Sequence, residues 1–390
     1  MCVPPPRCPD PGTVDVPQDT PPPHWPAGPK TAGDDPARPP KNSPGEMGWF
    51  HGKVQKIIRD GPQFGPRKDE FLPLLVVRAA AGDNGSRPWN GVFWESPDIF
   101  VLPGVEWAAA PLLPKAFGAV AKAAAPNTVY AHLWNLGRAP GYRVRVEFYW
   151  FNPTLGISLA DANLIGATWV DLGNRFSHSD DWKEARSCGI PYVTKGSHVI
   201  VRCPVTWVPE FVNNGHECLV VRVSEPLMDA VAPDEFSAPA DRHVGQRNIA
   251  VVLSGSPAHI DMALDLGFQA QAGTADVEVE QVDANSMDWL KLYAGSRTAS
   301  FQAPTQPVIA GLLPATLRGS RTLDVSSLPA DQRGVLLRQH ETVQLDCAPL
   351  SMQLHASIAN MKPGEANVLR VRQRVANRLV GGYTVVLLGR

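Results

Sequence analysis

The run Tyr142-Arg-Val-Arg-Val-Glu-Phe-Tyr-Trp150 decides the fold class. Apolar or aromatic side chains occupy every second position from Tyr142 to Trp150, while Arg143, Arg145 and Glu147 hold alternate positions. A period of two is typical of a half-buried β-strand, because successive strand residues point to opposite faces of a sheet. The run therefore predicts one strand of a β-sandwich.

A similar alternation precedes it in Asn127-Thr-Val-Tyr-Ala-His-Leu-Trp-Asn135. The link up to Gly141 is rich in turn residues, so we expect residues 127–150 to form a hairpin. The Ala-rich residues 112–125 predict a short helix inserted between strands. Residues 152–196 are irregular and predict a long connection with one strand near 166–172. Other strands of this first unit are expected at 71–77, 198–207, 216–223 and 247–253.

Strand candidates continue to the end of the chain. They lie at 261–268, 275–282, 289–293, 308–313, 341–347, 350–358, 367–375 and 381–388. The chain of 390 residues is long for one ordinary β-domain and suits two. Residues 1–46 hold fifteen of the 39 prolines and few aliphatic side chains, which predicts a disordered or polyproline II tail. The predicted fold is all-β, with β-sandwich domains at 47–253 and 254–390.

Charge and hydropathy limit the classes of partner and the cellular location that the sequence predicts. The net charge is −2, with 36 Lys and Arg against 38 Asp and Glu, so no strong field favours nucleic acid. The N-terminus has no signal-peptide pattern, and no apolar run is long enough for a membrane span. We therefore expect a cytoplasmic protein by default, with export by a route other than Sec as the alternative.

The six cysteines are widely scattered, and without an export signal we expect them to be reduced. Cys203 and Cys218 lie on strands that are candidates to be neighbours, so a disulfide between them is the alternative. Oxidation of that pair would require an environment that the missing export signal does not predict.

Several of these patterns resemble the bacterial immunoglobulin-like, CARDB-like domains of secreted and surface proteins. The resemblance rests on 94–99 (Trp-Glu-Ser-Pro-Asp-Ile), 127–137 and the strand ending at Trp150, and continues through 207–209, 216–219 and 247–250. It covers roughly residues 90–252 and implies an immunoglobulin-like first sandwich that acts as a spacer, accessory or binding domain. It implies no reaction, since such folds serve many functions.

Polar candidates for a site concentrate in one predicted loop. His178, Asp180 and Asp181 could bind a ligand, or a divalent ion if His198 or His216 converged on them, although linear spacing does not establish convergence. A solvated loop explains the same residues. His216 and Cys218 lack a third residue that would orient them as a catalytic pair. No motif for a nucleotide, structural zinc or another cofactor occurs. Asp60, Asp83 and Asp98 could hold calcium, but their neighbours indicate ordinary turns.

Tryptophan is concentrated in the first unit, and Trp134 and Trp150 are the candidate ligand-binding aromatics. An exposed row of such rings would bind sugars by stacking, whereas burial in the core explains the same residues without a ligand. The sequence predicts a non-enzymatic structural or binding module of a bacterial protein assembly or surface, with a protein partner or self-assembly. The alternatives are a carbohydrate-binding accessory protein and an enzyme with a dispersed active site around His178, Asp180, Asp181 and His216.

Overall fold

The computed structural model describes residues 72–389, apart from 116–120, 123, 152–156, 158–161, 210–217, 233, 255–257, 267–272, 295–297, 305–308, 315–337, 346–349, 359–360 and 376. The predicted tail at 1–46, the extension at 47–71 and His216 lie outside the described residues. Within the described part, no helix is long and apolar enough to cross a membrane.

The described residues form an all-β structure, which confirms the predicted fold class. The first unit contains β1 (Leu75–Val76), β2 (Ile99–Pro103), β3 (Asn127–Asn135), β4 (Gly141–Phe151), β5 (Asn163–Leu172), β6 (His178–Ser187), β7 (Ile190–Gly196), β8 (His198–Arg202), β9 (Cys218–Ser224) and β10 (Val244–Arg247). The second contains β11 (Ile249–Ser254), β12 (Ala258–Leu266), β13 (Gly273–Val282), α1 (Asp288–Tyr293), β14 (Ile309–Pro314), β15 (Arg338–Leu345), β16 (Leu350–Ile358), β17 (Ala366–Val375) and β18 (Arg378–Gly389).

Two sheets form the first sandwich. One has the order β1-β3-β8-β7-β6, with β2 also paired to β3, and the other has the order β10-β9-β4-β5. Val144, Val146 and Phe148 of β4 are fully buried between them and pack with Leu133 and Val201, as the period of two in β4 predicts. Each such side chain contributes about 1.5–3 kcal/mol by leaving water, so this layer holds the two sheets together.

The predicted hairpin at 127–150 is wrong, because β3 and β4 belong to different sheets. The buried Asn135 fixes the crossing: its Oδ1 accepts hydrogen bonds from the backbone N–H groups of Leu74 and Gly137 at 3.0 Å. Its Nδ2 donates to the carbonyls of Ala139 at 2.8 Å and Gly173 at 3.0 Å. These hydrogen bonds satisfy backbone N–H and C=O groups in and around the link between β3 and β4. The two strands therefore pack face to face across the core instead of pairing edge to edge.

The predicted long connection at 152–196 contains three strands, β5 to β7, and the predicted loop around His178 is the start of β6. Sequence periodicity fails for β6 because this strand lies at a sheet edge and exposes polar side chains on both faces. Its hairpin with β7 turns at Cys188 and Gly189, whose φ angles of 50° and 79° are both positive. Positive φ at both central residues is the pattern of a two-residue type I′ turn.

Two further predictions concern the first unit. No helix occurs in the described part of the Ala-rich segment, residues 112–115, 121–122 and 124–125. Cys203 and Cys218 are buried and reduced, so the alternative disulfide between them is wrong. Cys188 is disulfide-bonded, contrary to the expectation of reduced thiols.

The second unit has a five-stranded sheet, β11-β18-β17-β13-β15, and a three-stranded sheet, β12-β16-β14. The predicted closing strand at 247–253 is divided, because β10 ends at Arg247 while β11 pairs in parallel with β18 of the second unit. Residues 289–293 form α1 instead of the predicted strand, since five residues cannot separate a period of two from one of 3.6. The other strand predictions of this unit are confirmed, with shifts at their ends.

A continuous apolar core joins the two units. Phe151 and Val220, on the outer face of the four-stranded sheet, belong to the same buried cluster as Val279, Val371 and Val385 of the five-stranded sheet. Trp94 extends this contact, and its Nε1–H donates to Thr384 Oγ1 at 3.0 Å. The outer face of the six-stranded sheet lies on the far side of the first sandwich.

Candidate functional site

The outer face of the six-stranded sheet carries a group of five imidazole and indole side chains. Its members, the imidazole–indole cluster, are His132, Trp134, His178, Trp182 and His198. Alternation along β3 buries Val129, Ala131 and Leu133 in the core, so His132 and Trp134 point outward. The pairing of β3 with β8 places His198 directly opposite Trp134.

Trp134 is stacked between its neighbours in the sheet. On the β8 side its ring lies parallel to the His198 imidazole, with centroids 4.5 Å apart and planes at 8°. On the β1 side the guanidinium carbon of Arg78 lies 4.4 Å from the indole centroid, a cation–π contact. Because β3 lies between β1 and β8, the two contacts come from opposite sides of the indole.

Asp98 binds both Arg78 and Trp134 of this stack. It is fully buried, and its Oδ1 accepts a hydrogen bond from Arg78 Nη2 at 2.6 Å, while Oδ2 accepts from Arg78 Nε at 2.9 Å. The Trp134 Nε1–H donates to Asp98 Oδ1 at 3.2 Å. Burial raises the pKa of Asp98, and the hydrogen bonds and charge of Arg78 oppose that shift. A fork-shaped guanidinium on a carboxylate fixes both side chains and therefore fixes the indole.

The two inner histidines form a neutral pair. His132 Nε2 and His198 Nδ1 are 2.8 Å apart, and the other nitrogen of His132 lies 3.8 Å from Asp98 Oδ1. Burial, His198 and Arg78 hold the pKa of His132 well below 6.5. Burial, Lys195, His178 and Arg78 lower the pKa of His198 to about 4. Both rings are therefore neutral at pH 7, so that one ring donates its N–H and the other accepts it.

The outer rim of the cluster faces solvent. Trp182 of β6 meets His198 edge to face, with centroids 5.2 Å apart, and the Lys195 ammonium lies 5.3 Å from the Trp182 ring centroid. The His178 ring is nearly parallel to His198 at 6.3 Å, and its side chain is 62% exposed. Its Nε2 is 3.4 Å from a carboxylate oxygen of Asp180. This rim combines a half-buried indole with charged and imidazole groups on a fixed base.

The residues predicted as a site do not all meet. Trp134 and His178 belong to the imidazole–indole cluster, and Asp180 contacts it through His178. Asp181 is an exposed residue of the same strand, β6. Trp150 lies on β4 of the opposite sheet, half-buried against the sandwich core. The predicted set is therefore divided between the two sheets.

The metal hypotheses find no geometric support within the described residues, since no group of three or more His, Cys, Asp or Glu side chains there could hold an ion. Asp83 accepts hydrogen bonds from the backbone N–H groups of Ala79 and Gly85 at 2.8 Å, as expected for a turn residue. Asp98 is engaged by Arg78 and Trp134.

Sequence reasoning missed Arg78, His132 and Trp182 of this arrangement, and it assigned Asp98 to an ordinary turn. The alternation of β3 already placed His132 on the same face as Trp134. Arg78, Asp98 and Trp182 come from segments that reach β3 only through the sheet order, and their sequence carries no comparable periodicity.

Comparison with models of known protein families and with curated protein sequences finds no match to this chain.

Proposed function

We propose that the chain is a non-enzymatic binding and structural module, which contacts a protein partner through the outer face of its six-stranded sheet. The observation that carries the proposal is the stacking of Trp134 between Arg78 and His198. This arrangement fixes the base of the imidazole–indole cluster and leaves Trp182, His178 and Lys195 at its solvent side. Half-buried aromatic residues held in place beforehand are typical anchors of protein interfaces, since little side-chain entropy is lost on binding.

We infer that the first sandwich is immunoglobulin-like and serves a bacterial assembly or surface. Two facing antiparallel sheets and the crossing from β3 to β4 support this inference. The continuous core between the two units supports a rigid structural role, because a large apolar contact restricts relative movement of domains.

The carbohydrate alternative requires indole faces that are open to a sugar ring. Trp134 is covered on both sides, by Arg78 and by His198. Trp182 is half-buried, with Lys195 near its ring. The cluster therefore favours a protein partner over a glycan.

The test is affinity capture from host lysate by the tagged full-length chain, with mass spectrometry of the co-eluting proteins. The variant Trp182→Ala/Lys195→Glu changes the rim, and Leu164→Ala changes a side chain that is 54% exposed on β5 of the other sheet. We expect a reproducible partner to be lost with the first variant and retained with the second. A partner retained by both variants would contradict the proposed surface. Depletion of the wild-type chain by cell-wall polysaccharide, abolished by the Trp182 variant, would establish the carbohydrate alternative.

A further inference from the structure

The loop between β5 and β6 exposes a phenylalanine at the end of the first sandwich. Phe176 is 68% exposed, more than any other large hydrophobic residue in the described part of the chain. The guanidinium carbons of Arg175 and Arg138 lie 4.8 Å and 6.0 Å from its ring centroid. An aromatic ring with arginines beside it has the composition that is enriched at protein–protein interfaces.

The loop is held in place by backbone hydrogen bonds. The N–H of Gly173 donates to the Gly196 carbonyl at 2.7 Å, and the N–H of Arg175 donates to the Gly137 carbonyl at 2.9 Å. Phe176 donates its own N–H to Asn174 Oδ1 at 3.0 Å. The loop thus lies against both the link from β3 to β4 and the end of β7, which presents Phe176 in a fixed position.

Acidic residues follow directly along the chain. Asp180 has a side chain that is 98% exposed, and Asp181 is also exposed, both near the start of β6. At no more than about 3.6 Å per residue, the four positions from Phe176 to Asp180 span at most about 14 Å. A basic aromatic patch and an acidic patch therefore lie side by side at one end of the sandwich.

We propose that this surface, defined as Arg138, Arg175, Phe176, Asp180 and Asp181, is a self-complementary interface for a second copy of the chain. In a two-fold symmetric dimer each surface patch meets its own copy in reverse order. The arginines of one copy then face the aspartates of the other, and the two Phe176 rings pack at the axis. The proposal goes beyond the proposed function, because it adds a second contact surface to the rim that contains Trp182.

Charge supports a second copy over an unrelated acidic partner. Both halves of the complementary pattern are present on one chain, and the net charge of −2 opposes association only weakly. In the proposed dimer, side chains make the contact between the two copies, and the six-stranded sheet is not extended from one copy to the other. The neighbouring edge of β6 carries Lys183, Glu184 and Arg186 and a register shift between His178 and Lys183, features that protect an edge from pairing.

Sedimentation equilibrium of the full chain over a range of concentrations tests the proposal, with Arg175→Glu, Asp181→Arg, the double variant and Phe176→Ser. We expect a concentration-dependent dimer whose dissociation constant rises by about tenfold or more in each single variant, as for other exchanged charges at interfaces. The double variant, which restores opposite charges, should recover most of the affinity. Arg186→Glu, a charge reversal further along β6, is the matched control and should leave the dimer unchanged.

A chain that stays monomeric at all concentrations would overturn the proposal, as would equal dissociation constants in all variants. A double variant weaker than both single variants would overturn the paired geometry as well. Circular dichroism verifies that each variant is folded. Partner capture that depends on Trp182 would persist in each of these cases, so that failure of the dimer is distinguishable from failure of the proposed function.

Discussion

The Trp94 indole lies against the backbone of Gly382, so closely that a Cβ added at Gly382 would be 2.3 Å from atoms of the ring. Trp94 belongs to the first unit and Gly382 to β18 of the second. We therefore expect Gly382→Ala to lower the free energy of unfolding by about 1–3 kcal/mol or more, the range for forced overpacking of a core. Urea denaturation followed by tryptophan fluorescence measures the change. Adding Trp94→Leu makes room for the methyl group, so the double variant should be less destabilised than the sum of the single ones, and strict additivity would contradict the contact.

A buried ion pair joins the same two units. Arg370 donates from Nε to Glu95 Oε1 at 2.7 Å and from Nη2 to Oε2 at 2.9 Å, and the Glu95 and Arg370 side chains are only 10% and 16% exposed. Removal of Arg370 leaves Glu95 without its guanidinium partner, while Thr384 Oγ1 still donates to Glu95 Oε1 at 2.6 Å. We therefore expect Arg370→Met to cost at most about 3–5 kcal/mol, the range for a fully buried pair. The matched control is Arg186→Met at the exposed pair Arg186–Glu184, where about 0–1 kcal/mol is expected. Equal costs at the two sites, measured by denaturant titration, would show that Glu95 and Arg370 do not link the units.

Protonation of His198 should destabilise the fold in acid. Its pKa is about 4 in the folded chain against 6.5 in the unfolded chain, so the unfolded state binds more protons between these values. Stability therefore rises with pH from about 4 to 6.5, and the loss on acidification is of order 3 kcal/mol. His198→Gln removes this titration, so the difference in unfolding free energy between wild type and variant should shrink as pH falls through that window. A pH-independent difference would contradict the neutral pair of His132 and His198.

His243 should show the opposite dependence. It is buried, with Nδ1 2.6 Å from Asp241 Oδ1 and Nε2 3.3 Å from Asp229 Oδ2. Burial and the charge of Arg242 lower its pKa, but the hydrogen bonds with Asp229 and Asp241 and the charge of Asp229 prevail and raise it above 6.5. The stabilisation is fully present below pH 6.5 and is lost as pH rises through the folded-state pKa. Thermal unfolding of His243→Gln should thus differ more from wild type at pH 6 than at pH 9, and a constant difference would show that His243 is not charged.

Local patterning predicts the parts of this fold that have one buried face. The alternation from Tyr142 to Trp150 identifies β4 and its inward residues, because burial on a single face imposes a period of two. The same reasoning fails for β6, whose polar side chains are exposed on both faces at the sheet edge. It also fails to show that β3 and β4 lie in different sheets. The hydrogen bonds of Asn135 that direct the chain to the other sheet join residues that are distant in sequence.

The candidate site could be predicted only in part, for a related reason. Trp134 and His178 are residue types that suggest a ligand, and both lie in the imidazole–indole cluster. The hydrogen bond between His132 and His198 depends on the register of β3 with β8, across a separation of 66 positions. Trp150, chosen for the same chemical reason as Trp134, faces the sandwich core instead. Residue type alone does not distinguish the two tryptophans.

Hydrogen–deuterium exchange of the full chain, with and without the partner purified by affinity capture, tests the central claim most directly. If the partner binds the outer face of the six-stranded sheet, the backbone amides of β6 and β7 and those around Lys195 will gain protection, and the amides of β5 will not. Protection confined to β5 or to the second unit, with β6 and β7 unchanged, would contradict the proposed binding surface.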